Sequence, residues 1–107
     1  MNQKDRVLVV DPVAAIEKLK AIASEPRVQI IGLLRKQVRN INEIAEDLKL
    51  PQSTIASHIA ILEKAGLIAT ETVKAKKGNQ KLCRPTFEEI IVQFAPERTV
   101  TDFLEVE

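Results

Sequence analysis

Cysteine and histidine are nearly absent from this 107-residue sequence: Cys83 and His58 are each the only one of their kind. A single thiol excludes an internal disulfide. One thiol and one imidazole also exclude a cysteine- or histidine-rich metal site. A carboxylate-only site in the acidic tail stays open on these grounds, but no segment has the spacing of a ligand loop. Tryptophan and tyrosine are missing and phenylalanine occurs three times. The core must therefore be built from Ile, Leu, Val and Ala. No apolar run approaches the ~20 residues of a membrane span, and no signal peptide opens the chain. The expectation is a soluble, cytoplasmic protein with no membrane partner. No nucleophile–base pair, glycine-rich phosphate loop or carboxylate dyad stands at useful spacing. The chain is therefore not expected to be an enzyme or to carry a cofactor.

Net charge is also missing as a signal, since 16 Lys and Arg oppose 15 Asp and Glu. The distribution is uneven, however. Residues 66–86 hold five cations and one anion, while residues 87–107 hold six anions and one cation. A basic stretch followed by an acidic tail points to a patch that faces a polyanion. The length fits one domain. Hydrophobic residues make up 45%, enough for a core, although a domain this small gains from a partner subunit.

Arg6–Val10 reads as a short strand. Asp11-Pro12 starts a helix, and Val13, Ile16, Leu19, Ile22 and Ala23 follow at helical spacing. Ser24-Glu25-Pro26 ends it and opens a second helix, whose Ile30, Ile31, Leu33 and Leu34 predict burial on most sides. Val38–Asn40 is a connector. Asn42 can cap a short third helix with Ile44, Ala45 and Leu48 inward, and Pro51 stops it. A fourth helix spans about 52–65, with Ile55, Ile59 and Leu62 inward and Gly66 as its stop.

The period then changes to two. Leu67–Ala75, a turn at Lys77-Gly78-Asn79 and a return over Gln80–Thr86 predict a β-hairpin. Pro85 belongs at a strand end or edge. Phe87, Ile90, Ile91 and Phe94 are spaced i, i+3, i+4, i+7, which favours a helix over residues 87–94, with a strand as the alternative. Ala95–Thr99 reads as a loop and Val100–Glu107 as the start of a strand. The expected fold class is mainly α with a small β-hairpin (α+β), a winged helix-turn-helix over residues 11–86. Residues 87–107 form a C-terminal extension, a dimerisation element or the start of a further domain.

Helices three and four meet across about four residues, which is helix-turn-helix geometry. The fourth helix can enter a major groove, and the hairpin behind it can lie along the backbone or in the minor groove. The candidate DNA-contacting residues are Gln52, Ser53, Thr54, Ser57 and His58 on the helix. On the wing, about 67–86, they are Lys74, Lys76, Lys77, Asn79, Gln80 and Lys81. Gln52 can pair bidentately with adenine, and the wing lysines can neutralise phosphates. Each also has a plain alternative. Gln52 or Ser53 can cap the helix, His58 can pack across the helix pair, and the lysines can simply solvate a hairpin. Arg35, Lys36 and Arg39 suit the negative end of a helix dipole. Cys83 reads as a small hydrophobe in the wing and Arg84 as structural. Ile16, Leu19, Ile22, Ile90, Ile91 and Phe94 are the candidate dimer interface between terminal helices; alternatively they close the monomer's own core.

The segments IASEPRVQIIGLL and INEIAEDLKLPQSTIASHIAILEKAGLI, followed by a basic wing, resemble ArsR-type winged-helix regulators over roughly residues 14–86. The resemblance implies a homodimeric transcriptional regulator, read here as a repressor, that binds double-stranded DNA at a palindromic operator and answers to an effector of unknown identity. Three departures stand out. No cysteine pair occurs at Ile44–Leu48, where metal-sensing members often carry one. Ser57 and Ala60 stand where relatives often place cations. Lys49 stands where a turn glycine is common. The segment from Pro85 onward is similar to the junction in longer regulators, where a β-rich effector domain follows. The competing reading is a winged-helix protein-interaction module without sequence-specific DNA binding.

Overall fold

The computed structural model describes residues 6–76 and 78–94. Lys77, the expected loop at Ala95–Thr99 and the expected strand at Val100–Glu107 lie outside the described residues. The element order is β1 (Val7–Val10), α1 (Pro12–Ile22), α2 (Glu25–Lys36), β2 (Arg39–Asn40), α3 (Ile41–Leu48), α4 (Gln52–Lys64), β3 (Ile68–Ala75), β4 (Gly78–Pro85) and β5 (Glu89–Val92). This is the expected winged helix-turn-helix, with more strand than the sequence suggested.

Polar caps set the starts of α1, α2 and α3. Asp11 accepts from the Val13 amide at 3.0 Å and Ser24 from the Arg27 amide at 3.4 Å. The start of α3 differs from expectation. Asn40, not Asn42, is its cap, in a reciprocal box with Glu43 at 2.8 and 2.9 Å. The helix begins directly after β2, so its first free amides lie upstream of Asn42. The expected connector at Val38–Asn40 contains that strand: Arg39 pairs with Cys83 and Asn40 with Leu82.

The helix-turn-helix pair ends its two helices in the same way. At α3, Lys49 adopts φ 59°, and the Leu50 amide reaches back to the Ala45 carbonyl at 3.1 Å. At α4, Gly66 adopts φ 79°, and the Leu67 amide reaches the Leu62 carbonyl at 2.9 Å. Both are left-handed caps closed by a long backbone bond, with a leucine folded inward behind them. Pro51 then holds the extended conformation that opens α4.

Ile30, Ile31 and Leu34 of α2, Ile44 and Ala45 of α3, and Ile55, Ile59 and Leu62 of α4 form the core with Leu67, Ile68, Cys83 and Phe87. Each large aliphatic side chain removed from water here stabilises the fold by roughly 1.5–3 kcal/mol. Burial of α2 on most sides does not hold. One face is buried, and Val28 on another is 52% exposed.

The hairpin register is Ala75 opposite Gly78, so Gly78 and Asn79 belong to the return strand and not to the turn expected at Lys77-Gly78-Asn79. Gly78, at φ 110°, opens the return strand. β4 is central, between β2 and β3, and Pro85 stands at its end.

The helix favoured for residues 87–94 is also corrected. Glu89–Val92 is a strand parallel to β1, with Val7 opposite Glu89 and Val10 opposite Val92. The Ile90 face packs on the core beside Leu8, while Ile91 is exposed. The hydrogen-bond partner lies some eighty residues upstream, beyond the reach of local periodicity.

Candidate nucleic-acid interface

At 3.6 residues per turn, α4 divides into four lines. Ile55, Ile59 and Leu62 are buried. Ser53, Ser57, Ala60 and Lys64 lie opposite them and are exposed. Thr54, His58 and Ile61 fall on the flank toward α1 and α2. Gln52, Ala56 and Glu63 fall on the flank toward the hairpin, where Glu63 accepts from the Thr70 hydroxyl at 2.6 Å. That bond ties the end of α4 to the base of the wing.

A cleft of about 410 Å³, lined mainly by polar residues, opens between α4 and the wing. Gln52, Ser53 and Ala56 form one wall, Asn79, Gln80 and Lys81 the other, and Asn40, Ile41 and Asn42 the floor at the start of α3. Five candidate residues from two distant segments therefore meet in one place. Asn40 and Asn42 were not among the candidates. The asparagines flanking a helix start could have marked the spot, but that signal also reads as capping. Asn40 is consumed by its box, which leaves Asn42 exposed beside Gln52.

Strand alternation places the wing lysines. Ile68, Thr70, Thr72 and Lys74 share a ribbon face with Pro85, Cys83, Lys81 and Asn79. Ile68 and Cys83, at the base of that face, are buried against the core. Lys74, Asn79 and Lys81 therefore continue the α4 side of the molecule toward the hairpin tip. Lys76 is in the turn, and Lys77 lies outside the described residues. Among the described residues, no ion pair engages Lys74, Lys76 or Lys81. Arg84 is bridged to Glu71 at 2.9 Å, and Arg39, which is in β2 rather than at the end of α2, is bridged to Asp47 at 2.6 Å.

The start of α4 has no side-chain cap. Capping by Gln52 or Ser53 is thus corrected: Pro51 is the cap residue, and neither side chain bonds the free amides of the first turn. Ser57 is exposed on the outer line, and Thr54 is half-buried.

His58 turns away from the cleft. Its Nδ1 lies 3.1 Å from Arg27 Nη1, so the ring spans α4 and α2. Desolvation, followed by the neighbouring guanidinium charge, lowers its pKa from the usual 6.5. Cys83 is fully buried in β4, and that burial pushes its thiol up to about 11.

The candidate dimer residues separate into two groups. Ile16, Ile91 and Phe94 are 44%, 45% and 69% exposed. Leu19, Ile22 and Ile90 are half-buried, and Ile22 and Ile90 pack on the monomer's own core. Of the C-terminal half of the set, Ile90 and Ile91 sit on β5 and Phe94 lies just beyond it, not on a terminal helix.

The family model described as bacterial regulatory protein, arsR family, matches residues 24–70. The transcriptional regulator HlyU from Vibrio vulnificus is 32% identical, with a TM-score of 0.56 over 68% of this chain and 72% of that one. The chain belongs to the arsR family of bacterial regulatory proteins. Another arsR-type relative, the transcriptional repressor SmtB of Mycobacterium tuberculosis, is 36% identical over 58 residues, 54% of this chain and 43% of that one. The chain spans about half the length of the curated relatives it matches. The homodimeric winged helix-turn-helix DNA-binding domain of a possible ArsR-family regulator from Mycobacterium bovis shares the fold, with a TM-score of 0.57 at 24% identity over 72% of each chain.

Proposed function

We propose that this arsR-family chain is a sequence-specific DNA-binding transcriptional regulator that acts as a homodimer on a palindromic operator. One observation carries the reading: the wing and the start of α4 converge on one cleft, lined mainly by polar residues. Gln52, Ser53 and Asn42 supply groups suited to base edges and phosphates. Lys81, with Lys74 and Lys76 beyond it, supplies cations for the backbone between major and minor groove. The uncapped amides of α4 add donors for a phosphate.

The dimer surface follows from the exposed apolar side chains Ile16, Ile91 and Phe94, together with Val9 and Val13. An isologous contact there presents two recognition helices to the two halves of a palindrome. The Mycobacterium bovis domain is itself described as homodimeric. Relatives carry both signs of regulation, since SmtB is named a repressor and the Vibrio cholerae HlyU an activator. Repression is the simpler outcome here, because an occupied operator excludes other proteins without a further contact.

Gel-shift titration against the region upstream of its own gene, at several salt concentrations, tests the reading. Specific binding with a steep salt dependence is expected, along with a dimer in sedimentation. Absence of binding at low salt by a verified dimer would overturn it, and would leave the protein-interaction module as the better reading.

A further inference from the structure

A second cavity, of about 400 Å³, lies at the base of the wing, at the other end of β4 from the DNA-facing cleft. Its lining has two parts. Leu34, Pro85 and Phe87 are buried apolar groups, and Val38 adds a half-exposed apolar wall. Arg6, Arg35, Lys36 and Arg84 border the same space, against the single acid Glu88. In a protein of net charge +1, four cations converge here from three separate parts of the chain.

The dipole of α2 accounts for only part of this. Arg35 and Lys36 end that helix, where cations are favoured. Arg6, before β1, and Arg84, in β4, are on other elements. Arg6 also donates to the Pro85 carbonyl, which fixes its guanidinium at the cavity. Arg84 is shared with Glu71 at 2.9 Å across the exposed side of the ribbon. An anion entering the cavity would compete with Glu71 for that guanidinium.

The geometry points to a binding site for a small organic anion, a phosphate or carboxylate attached to an apolar or aromatic body. The body would lie on Leu34, Pro85 and Phe87, and the anionic group would meet Lys36 and Arg84. The volume suits a ligand of that size, and the lining sets a cationic rim beside a smaller apolar floor. Arginine forks bind phosphate and carboxylate oxygens in pairs, which selects an oxyanion over a halide. β4 joins this cavity to the wing, since it carries Arg84 here and Lys81 at the cleft. Ligand binding itself does not depend on the DNA reading, so the two can fail separately.

The test is an NMR titration of the full chain with phenyl phosphate and, separately, with inorganic phosphate. Saturable shifts are expected at the amides of Gln37, Val38, Arg84 and Phe87. Phenyl phosphate should bind at least about tenfold more tightly than inorganic phosphate, through its ring. Lys36→Ala, an exposed change, should weaken binding about tenfold. Glu71→Gln should tighten it by freeing Arg84, an effect that misfolding would not produce. Non-saturating shifts spread over the surface lysines would overturn the proposal, as would equal affinity in the wild type and Lys36→Ala. A lower salt slope for duplex DNA in Lys36→Ala would also overturn it, by assigning these cations to DNA.

Discussion

Arg27 Nη1 lies 3.1 Å from His58 Nδ1, while Arg27 Nε donates to the Ala21 carbonyl at 2.6 Å. A guanidinium can only donate. His58 Nδ1 must therefore offer its lone pair, and the ring is neutral with its proton on Nε2. Protonating Nδ1 would set one N–H against another beside a positive charge. Burial, which disfavours the charged ring, and then the Arg27 charge beside it lower the folded-state pKa from 6.5. The unfolded chain then binds the proton more readily, so stability rises with pH through this range and is lost as pH falls through 6.5. Urea unfolding between about pH 7.5 and 5.5, where His is the side chain that ordinarily titrates, should show the decline. His58→Gln should flatten it. Higher stability at the acidic end would refute the neutral-acceptor assignment.

Lys49 and Gly66 occupy equivalent left-handed caps, and only one of them is glycine. The β-carbon of Lys49 costs about 1 kcal/mol at φ 59°. Lys49→Gly should recover part of it, raising the melting temperature by a few degrees, on the order of 4 °C. Gly66→Ala should do the opposite. Its new β-carbon meets both the positive φ and Lys18 Nζ at 3.0 Å. Calorimetry of the two variants gives opposite signs if the caps are read correctly.

The parts of the molecule written in local chemistry were legible in the sequence. Asp11-Pro12 and Ser24-Glu25-Pro26 announce helices, and Ile55, Ile59 and Leu62 announce the buried face of α4. Lys49 was recognisable as an unfavourable turn residue. What escaped depends on distant partners. Glu89–Val92 carries helical spacing, yet it becomes a strand because β1 is there to pair with it. Arg39–Asn40 looks like a connector until β4 lies alongside. The residues of the candidate interface were legible as types, whereas their meeting in one cleft was not. His58 shows the limit most plainly. Helical spacing places it on a flank of α4, but only the fold brings Arg27 to that flank.

Cys83 should be inert in the native protein. It is fully buried, and a thiol pushed up to about 11 is almost entirely protonated at neutral pH. Labelling by a thiol reagent at pH 8 should therefore be slow and should keep pace with global unfolding in urea. Rapid stoichiometric labelling of the folded protein would mean that β4 opens on its own. Cys83→Ser is expected to cost stability, since it places a hydroxyl where the core offers only a weak contact with the Lys81 carbonyl at 3.8 Å.

The division between recognition helix and wing gives a prediction with two separable readouts. Lys64 is the only cation of α4 and sits at its far end from the cleft. On the proposed DNA-binding reading, phosphate neutralisation would therefore fall mainly to Lys74, Lys76 and Lys81 on the wing. Replacing Lys76 and Lys81 by alanine should weaken binding to all duplexes alike and reduce the salt slope by about 1 for each residue. Specificity, as the ratio of operator to non-operator affinity, should be nearly unchanged. Gln52→Ala should leave the slope alone and lower that ratio by about 1–3 kcal/mol if its amide pairs with a base edge. Asn42→Ala should follow Gln52→Ala in either readout, because it lines the same cleft without carrying charge. If Gln52→Ala changed only the slope, α4 would be contacting backbone alone, and the hydroxyls of Ser53 and Ser57 would be the next groups to test for base contact.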